Sequence, residues 1–153
     1  MSSISSGNPL YLDDLSVGQE FVSSEYPLDA EQIINFASQY DPQPFHVDPK
    51  AAEDSFFKGL VASGWHTMAI SMRLMVESMP LAGGIIGLGG EISWPRPTRP
   101  QDVLHVCCRI IEITPSKSKP DRGIVQLQSE TCNQAGEVVQ ELVAKLVVFR
   151  RQQ

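Results

Sequence analysis

Residues 65–79 constrain the fold more than any other stretch of this chain. They carry apolar side chains on nearly every side of a helix: Trp65, Met68, Ala69, Ile70, Met72, Leu74, Met75, Val76 and Met79. A helix that is apolar nearly all round is normally buried inside a domain. The remainder of the chain must therefore form a layer that surrounds this helix.

The second half of the chain changes to a strand-like pattern and supplies that layer. Four β-rich runs are separated by Gly, Pro, Ser and Asn, at residues 87–94, 103–113, 124–133 and 138–150. In the last run, apolar and polar positions alternate, as in a strand with one face on a core. Residues 133–136, Asn-Gln-Ala-Gly, are typical of a hairpin turn. The pattern predicts an α+β fold in which an antiparallel sheet wraps around one long buried helix.

Two helix starts are predicted in the first half. Asp29, with Gln32 three residues later, is typical of a capping box, and the helix that follows ends before Pro42. Asp48 followed by Pro49 is typical of an N-cap and a first helical position. A short second helix is therefore expected to begin there.

Composition and charge exclude several classes of protein. At 153 residues the chain fits a single domain, here residues 10–153 after a loose, Ser-rich tail of residues 1–9. Its formal charge of −6 argues against nucleic acid or an anionic membrane as the main partner, since both attract basic surfaces. No apolar run reaches the ~18 residues of a membrane span, and the N-terminus lacks the pattern of a secretion signal. We therefore expect a cytoplasmic protein.

The cysteine and histidine spacings predict neither disulfides nor a metal site. Cys107 and Cys108 are neighbours in a strand-like run and would point to opposite faces, while Cys132 stands alone. We expect all three to be unreactive, partly buried thiols. His66 and His105 have no carboxylates at the spacing of metal ligands, so no metal is predicted.

Asp41 and His46 are the most site-like residues of the chain. Both can transfer protons, and they flank two prolines, Pro42 and Pro44, that lack backbone donors and favour extended neighbours. The pattern predicts a shaped loop, outside regular helix or strand, that can aim both side chains. The residues alone also fit simpler roles: Asp41 could end the preceding helix with a local turn bond, and His46 could be a structural histidine.

This stretch is part of a longer pattern. The pattern comprises Asp41-x-x-Pro44-x-His46-x-Asp48, Ala51-Ala52 with Phe57, Ser63-Gly64 at the start of the apolar helix, Trp94-Pro95-x-Pro97 and Pro100-Gln101-Asp102. From Leu10 onward the chain thereby resembles the MaoC-like dehydratases, the (R)-specific enoyl-CoA hydratases of the hot-dog fold. Gln43 and Ser63 stand where that family commonly has Asn and His.

The resemblance implies a hydro-lyase that adds water reversibly, with syn geometry, to trans-2-enoyl-CoA to give (R)-3-hydroxyacyl-CoA. Asp41 would be the base that activates water, with a pKa raised by a partly apolar site. His46 would orient the same water, and the N–H of Gly64 at the start of the apolar helix would stabilise the enolate oxygen. Coenzyme A is part of the substrate, and no metal or other cofactor is expected.

Four further residues are candidates for substrate binding. Gln43 and Ser63 flank the predicted catalytic residues. Arg96 and Arg99 could meet the phosphates of coenzyme A, which an acidic protein must bind through a local basic patch. An ordinary solvated rim is the alternative for the two arginines, and Gln43 could shape the loop in place of lining a pocket.

Two other functions remain open at this stage. A hot-dog thioesterase would release a free thiol, and a non-catalytic acyl-CoA-binding module would bind the thioester without turnover. The fold also leaves one sheet edge and one face open, and such edges are usually covered by a partner chain. We therefore expect a homodimer or higher homo-oligomer that binds an acyl-CoA thioester.

Overall fold

The computed structural model describes residues 8–152; residues 1–7 of the predicted tail lie outside the described residues. The strands within this range are β1 Glu20–Val22, β2 Tyr26–Pro27, β3 Ile86–Ser93, β4 Val103–Pro115, β5 Arg122–Cys132 and β6 Val138–Phe149. The α-helices are α1 Ala30–Tyr40, α2 Pro44–Val47, α3 Pro49–Glu53 and α4 Gly64–Ser78. Two short strands and three short helices thus precede the long helix and the long strands.

The strands form one antiparallel sheet in the order β1-β4-β5-β6-β3, with β2 also paired to β4. The four β-rich runs of the sequence correspond to β3, β4, β5 and β6. Strand β3 lies at one end of this order, so one of its edges has no neighbour among the described residues. The predicted α+β arrangement of a sheet and one long helix is confirmed.

The hairpin between β5 and β6 turns at Asn133. Its side-chain oxygen accepts hydrogen bonds from the N–H groups of Ala135 and Glu137, both at 3.0 Å. Gly136 has a φ of +76°, a conformation that glycine adopts without steric cost. The hairpin turn predicted at residues 133–136 is therefore confirmed.

Helix α4 packs on the sheet and forms the core with it. Ile70, Leu74 and Met75 on the helix are buried together with Leu104 and Leu127 of the sheet. Full burial of such a side chain contributes roughly 1.5–3 kcal/mol to stability. This contact fixes the position of the helix start relative to the segment that carries Asp41.

One face of α4 is open to solvent. Trp65 is 60% exposed, and Met72 and Val76 on the same helix are also exposed. The helix lies where the apolar pattern placed it and is buried against the sheet as predicted, but this one apolar face is exposed. The sequence pattern shows only that these residues are apolar, and no other part of the described chain covers them.

The helix caps follow the sequence signals. Asp29 accepts the N–H of Gln32 at 2.9 Å and caps α1. Asp48 accepts the N–H groups of Lys50 and Ala51 at 3.0 and 3.2 Å and caps α3. Asp48 is thus engaged in a structural role, as predicted.

The segment between α1 and α3 is more regular than its prolines suggested. Asp41 ends α1, and Pro44–Val47 form the single helical turn α2 in place of the expected irregular loop. Pro44 occupies the first position of that turn, where its missing N–H has no helical partner to lose and its φ already suits a helix. His46 is held inside this turn, so its ring has a fixed direction.

The cysteines are shielded by burial. Cys108 is buried while its neighbour Cys107 is partly exposed, as expected for successive positions of β4. Burial raises the pKa of Cys108 to about 11, and it also raises the pKa of Cys107 and of Cys132. A thiol with a raised pKa is a weak nucleophile at neutral pH, which agrees with the predicted unreactive thiols.

His66 gives the fold a specific pH dependence. Its ring stacks on Phe36 with centroids 4.5 Å apart, and its Nδ1 is buried without a hydrogen-bond partner among residues 8–152. Burial lowers the pKa of His66 below its ordinary value of 6.5. Unfolding therefore takes up a proton as the pH falls below about 6.5, so the protein loses stability on the acidic side of this value.

Replacing His66 by Phe is expected to stabilise the protein. The variant keeps the aromatic stack and removes an unpaired buried nitrogen, which typically costs about 1 kcal/mol or more. The gain should increase as the pH is lowered from 7.5 to 5.5, because only the wild type has the titrating group. Urea unfolding at both pH values measures this, and a gain that is the same at both would contradict it.

Candidate active site

Asp41 and His46 face each other across the turn between α1 and α2. His46 Nε2 lies 3.3 Å from Asp41 Oδ2, and both side chains are mostly buried. Two groups so placed can bind a common water molecule and pass a proton through it. The expectation that the segment aims both side chains at one place therefore agrees with the geometry.

The other nitrogen of His46 fixes the ring. His46 Nδ1 lies 2.6 Å from the carbonyl oxygen of Val61. A carbonyl oxygen only accepts, so Nδ1 carries a hydrogen and donates it. Nε2 is then the nitrogen that exchanges protons, and it is the one that faces Asp41.

Asp41 is surrounded by hydrogen-bond donors. Gln43 Nε2 donates to Asp41 Oδ1 at 2.6 Å, and the side chain of Ser63 also hydrogen-bonds to the carboxylate. Burial raises the pKa of Asp41, but the bonds from Ser63 and Gln43 and the charge of His46 lower it, and the net direction is downward. The expected upward shift of this pKa was therefore wrong, because the sequence did not reveal the donors. Asp41 is ionised at neutral pH and can accept a proton.

The start of α4 lies beside this pair. Ser63 is fully buried and caps the helix by accepting the N–H of Trp65 at 3.2 Å, while Gly64 is the first helical residue. Within residues 8–152 the N–H of Gly64 has no acceptor, as is usual in the first turn of a helix. This N–H and the helix dipole together favour a negatively charged oxygen.

Asp41, His46 and Gly64 line one cavity of about 440 Å³. Gln43 and Arg96 also line it, whereas Ser63 lies beneath its wall. The structure thus brings together five of the seven residues that the sequence singled out. The rest of the cavity wall is largely apolar and aromatic. The sequence did not predict these wall residues.

The indole of Trp94 packs over Gly64. A Cβ atom at position 64 would lie 2.7 Å from Trp94 Cε2, which is closer than real Cβ atoms come. Trp94 is held there by a hydrogen bond from its Nε1 to the buried Gln140 at 3.0 Å and by an edge contact with Trp65. The packing of Trp94 therefore requires glycine at position 64, and the N–H of this glycine is available to bind a ligand.

Two threonines complete the wall next to the helix start. Thr67 donates a hydrogen bond from its hydroxyl to that of Thr98 at 3.0 Å, and both are buried in the cavity wall. They lie 31 positions apart in the sequence, in segments that the sequence did not connect. The only sequence feature that indicated their place in the cavity wall was the proximity of Thr67 to Gly64 along the helix.

The two arginines occupy different places. Arg96 lines the cavity and forms an ion pair with Glu137, Nη1 to Oε2 at 3.2 Å. Arg99 does not line the cavity; its guanidinium donates to the carbonyl oxygen of Phe57 at 2.8 Å. Arg99 thus supports the loop at the cavity rim, a position that differs from the predicted contact with substrate.

A second cavity of about 370 Å³ lies on the other side of Trp65. It is bounded by α4, β3 and β6, and its wall is almost entirely apolar, with Met68, Met75, Ile92 and Leu142 among the lining residues. Trp65 is therefore part of the wall of both the polar cavity and the apolar one.

Two features are absent from residues 8–152. No cluster of three or more His, Cys, Asp or Glu side chains that could hold a metal occurs among them. No helix within this range is both long and apolar enough to cross a membrane.

Known sequences share this pattern. The family model described as a MaoC like domain matches residues 14–131. The protein YdeM of Bacillus subtilis is 32% identical over 126 residues, covering 80% of this chain and 87% of that protein.

Solved structures share the fold. The MaoC-like dehydratase of Rhodospirillum rubrum has a TM-score of 0.92 and 59% identity, covering 94% of this chain and 99% of that chain. The R-hydratase PhaJ1 of Pseudomonas aeruginosa has a TM-score of 0.78 and 24% identity, covering 94% of this chain and 88% of that chain. With the hot-dog fold and the family resemblance both confirmed, this chain belongs to the MaoC-like dehydratase family.

Proposed function

We propose that the protein is an enoyl-CoA hydratase that adds water reversibly to trans-2-enoyl-CoA and forms (R)-3-hydroxyacyl-CoA. The observation that carries this proposal is the distance of 3.3 Å between His46 Nε2 and Asp41 Oδ2, in a cavity that Gly64 also lines. The R. rubrum relative, described as a MaoC-like dehydratase, supports the same class of reaction.

The cavity residues divide the reaction among them. Water bound between Asp41 and His46 loses a proton to this pair as its oxygen bonds to C3 of the substrate. The electrons of the double bond move onto the thioester oxygen, whose developing charge the N–H of Gly64 stabilises. The pair then delivers a proton to C2, so the net change is the addition of one water molecule.

The direct test is the hydration of crotonyl-CoA by the purified protein. Loss of the absorbance of the conjugated thioester, without release of free thiol, is the expected result. If a panel of straight and branched enoyl thioesters gives no turnover, the proposal fails. Chiral analysis of the product tests the (R) configuration.

The same assay separates two alternatives. A thioesterase would release free thiol, which a thiol reagent run beside the absorbance assay detects. A non-catalytic acyl-CoA-binding module would bind the thioester without either signal. The hydratase is favoured because the ionised Asp41 and the Nε2 atom of His46 that faces it form a pair suited to moving protons to and from water.

The hydrogen-bond donors around Asp41 lead to a prediction about the pH dependence of the reaction. Replacing Ser63 by Ala removes a hydrogen bond to the carboxylate and should raise the pKa of Asp41. The acidic limb of the pH profile of kcat/KM is therefore expected to move to higher pH. Asp29→Ala is the control, because it also removes a helix cap but lies at the start of α1, and its acidic limb should stay in place. An unmoved limb in Ser63→Ala would contradict the prediction.

The apolar cavity beyond Trp65 is suited to the acyl chain of the substrate. Trp65 lines both this cavity and the one that holds Asp41 and His46, so the hydrocarbon of a thioester at Gly64 would enter it by passing this indole. Burial of each CH₂ group there contributes about 0.8 kcal/mol to binding.

A second copy of the chain is proposed to cover the open face of α4 and the edge strand β3. Val76 on the helix and Ile86 and Leu88 on the strand are exposed, and a solvated face of this kind is normally buried by a partner. Val76→Glu is expected to shift the protein from dimer toward monomer in light scattering. A wild-type protein that is already monomeric at working concentration would contradict this prediction.

A further inference from the structure

Phe56 is the most exposed large apolar side chain among the described residues. It is 91% exposed and lies at the rim of the cavity that holds Asp41 and His46. An aromatic ring so fully solvated contributes nothing to the core. Its position at the entrance of a binding cavity suggests contact with a ligand.

The loop that carries Phe56 is held in place on both sides. The N–H of Phe57 donates to the hydroxyl of Ser55 at 3.2 Å, and that hydroxyl donates to the carbonyl of Ala52 at 2.6 Å. Arg99 donates to the carbonyl of Phe57 at 2.8 Å. The backbone on both sides of Phe56 is therefore held by hydrogen bonds, and the loop presents the exposed ring at the cavity rim.

Aromatic contacts connect this ring to the polar pair. Phe56 meets Phe57 edge to face at 5.2 Å between centroids, Phe57 meets Phe45 at 5.2 Å, and Phe45 meets His46 at 4.6 Å. Phe56 thus stands three ring contacts from His46. A ligand that reacts at His46 and extends out of the cavity passes along this row.

Cationic residues occur at this rim or next to Phe56 in the sequence, in a protein whose net charge is −6. Arg96 lines the cavity, and Arg99 supports the Phe56 loop. Lys58, two residues beyond Phe56, is exposed and forms no ion pair within the described part of the chain. An exposed aromatic ring beside several cations complements a nucleotide, which has a flat base and negative phosphates.

We propose that Phe56 is a stacking platform for the adenine ring of a coenzyme A thioester, with Lys58 and Arg96 near its phosphates. This inference rests on the proposed hydratase function and adds the residue that contacts the nucleotide of the substrate. A carrier protein presents its acyl group on a phosphopantetheine arm that lacks a nucleotide base. The ring of Phe56 therefore favours coenzyme A over an acyl carrier protein.

The test compares Phe56→Ala with the wild type on two substrates. Crotonyl-CoA contains the nucleotide, whereas the N-acetylcysteamine thioester of crotonate lacks it. Stacking of a base on an aromatic side chain corresponds to about 5- to 150-fold in affinity. We expect KM for crotonyl-CoA to rise by about this factor with kcat within twofold, and the truncated thioester to react equally well with both proteins.

Phe56→Tyr is the matched variant, because it retains the ring and should restore the wild-type KM. Val17→Ala serves as a control, since Val17 is also exposed but does not line the cavity. Equal losses on both substrates would overturn the inference and assign Phe56 to the support of the Asp41 and His46 pair. Unchanged kinetics on both substrates would overturn it as well.

Two further outcomes separate this inference from the function on which it rests. If Phe56→Ala impairs a crotonyl carrier-protein substrate and leaves crotonyl-CoA unaffected, the loop docks a protein and the inference is wrong. If the wild type hydrates no thioester, the proposed function fails, and binding of adenosine 3′,5′-bisphosphate still tests the platform. Calorimetry should then show weaker binding to Phe56→Ala, and equal binding would refute the platform independently of catalysis.

Discussion

Replacing Asp41 by Asn is expected to lower kcat for the hydration of crotonyl-CoA by about 10²- to 10⁴-fold. The carboxylate faces His46 at 3.3 Å and receives a hydrogen bond from Gln43 at 2.6 Å, and both contacts stabilise its ionised form. An amide keeps the size of the side chain but cannot accept the proton that water must lose. The loss should therefore appear in kcat, with KM changed much less.

Asp48→Asn provides the matched control for Asp41→Asn. It makes the same chemical change seven positions away, at the residue that caps α3. Asn is as good an N-cap as Asp, so this variant should keep both its stability and its activity. Circular dichroism checks that each variant is folded. If Asp41→Asn retained more than a tenth of the wild-type kcat, the proton would have another acceptor and the proposed role of Asp41 would be wrong.

Periodicity predicted most of the fold because burial repeats along each element. The long strands β3 to β6 and helix α4 were placed within a few residues of their observed bounds. One apolar face of the buried helix is nevertheless exposed, where Met72 and Val76 face outward. A sequence pattern records that a face avoids water, and it does not distinguish the core of one chain from a surface that a second molecule covers.

The site was predictable where its residues are close in sequence. Asp41 and His46 lie five positions apart in a segment with two prolines. The prolines predicted a shaped loop, and the resemblance to the MaoC-like dehydratases implied that the two side chains act on one water molecule. The hydrogen bond from Ser63 to Asp41 depends on how the start of α4 packs against α1 and α2. Burial raises the pKa of Asp41, and the bond from Ser63 is the largest of the three effects that lower it, beside those of Gln43 and His46. The local sequence did not reveal the contribution of Ser63.

Long-range packing explains the remaining differences. Trp94 reaches Gly64 because β3 and the start of α4 lie together, although 30 positions separate these residues. The hydrogen bond from Arg99 to the carbonyl oxygen of Phe57 likewise depends on how distant segments pack together. Sequence spacing indicates which residues share one element, whereas these contacts follow from how the elements are arranged in the fold.

Replacing Gly64 by Ala is expected to lower kcat by about 10²- to 10³-fold, the typical cost of losing one donor to a developing oxyanion. The added methyl group would lie 2.7 Å from Trp94 Cε2, so either the indole or the first turn of α4 must move. Trp94 is anchored by its hydrogen bond to the buried Gln140, which leaves the helix start as the part that shifts. The N–H of residue 64 would then no longer point at the thioester oxygen.

A second substitution tests whether steric displacement causes this loss. Trp94→Leu removes the ring that the methyl group would meet, so the double variant Gly64→Ala, Trp94→Leu should recover activity toward the level of Trp94→Leu alone. The two substitutions are in contact, and their effects on kcat should therefore be strongly non-additive. Additive losses would show that the methyl group lowers kcat by a cause other than its clash with Trp94. Wild-type kcat in the single variant Gly64→Ala would show that the amide of residue 64 does not stabilise the transition state, because a displaced donor cannot support the full rate.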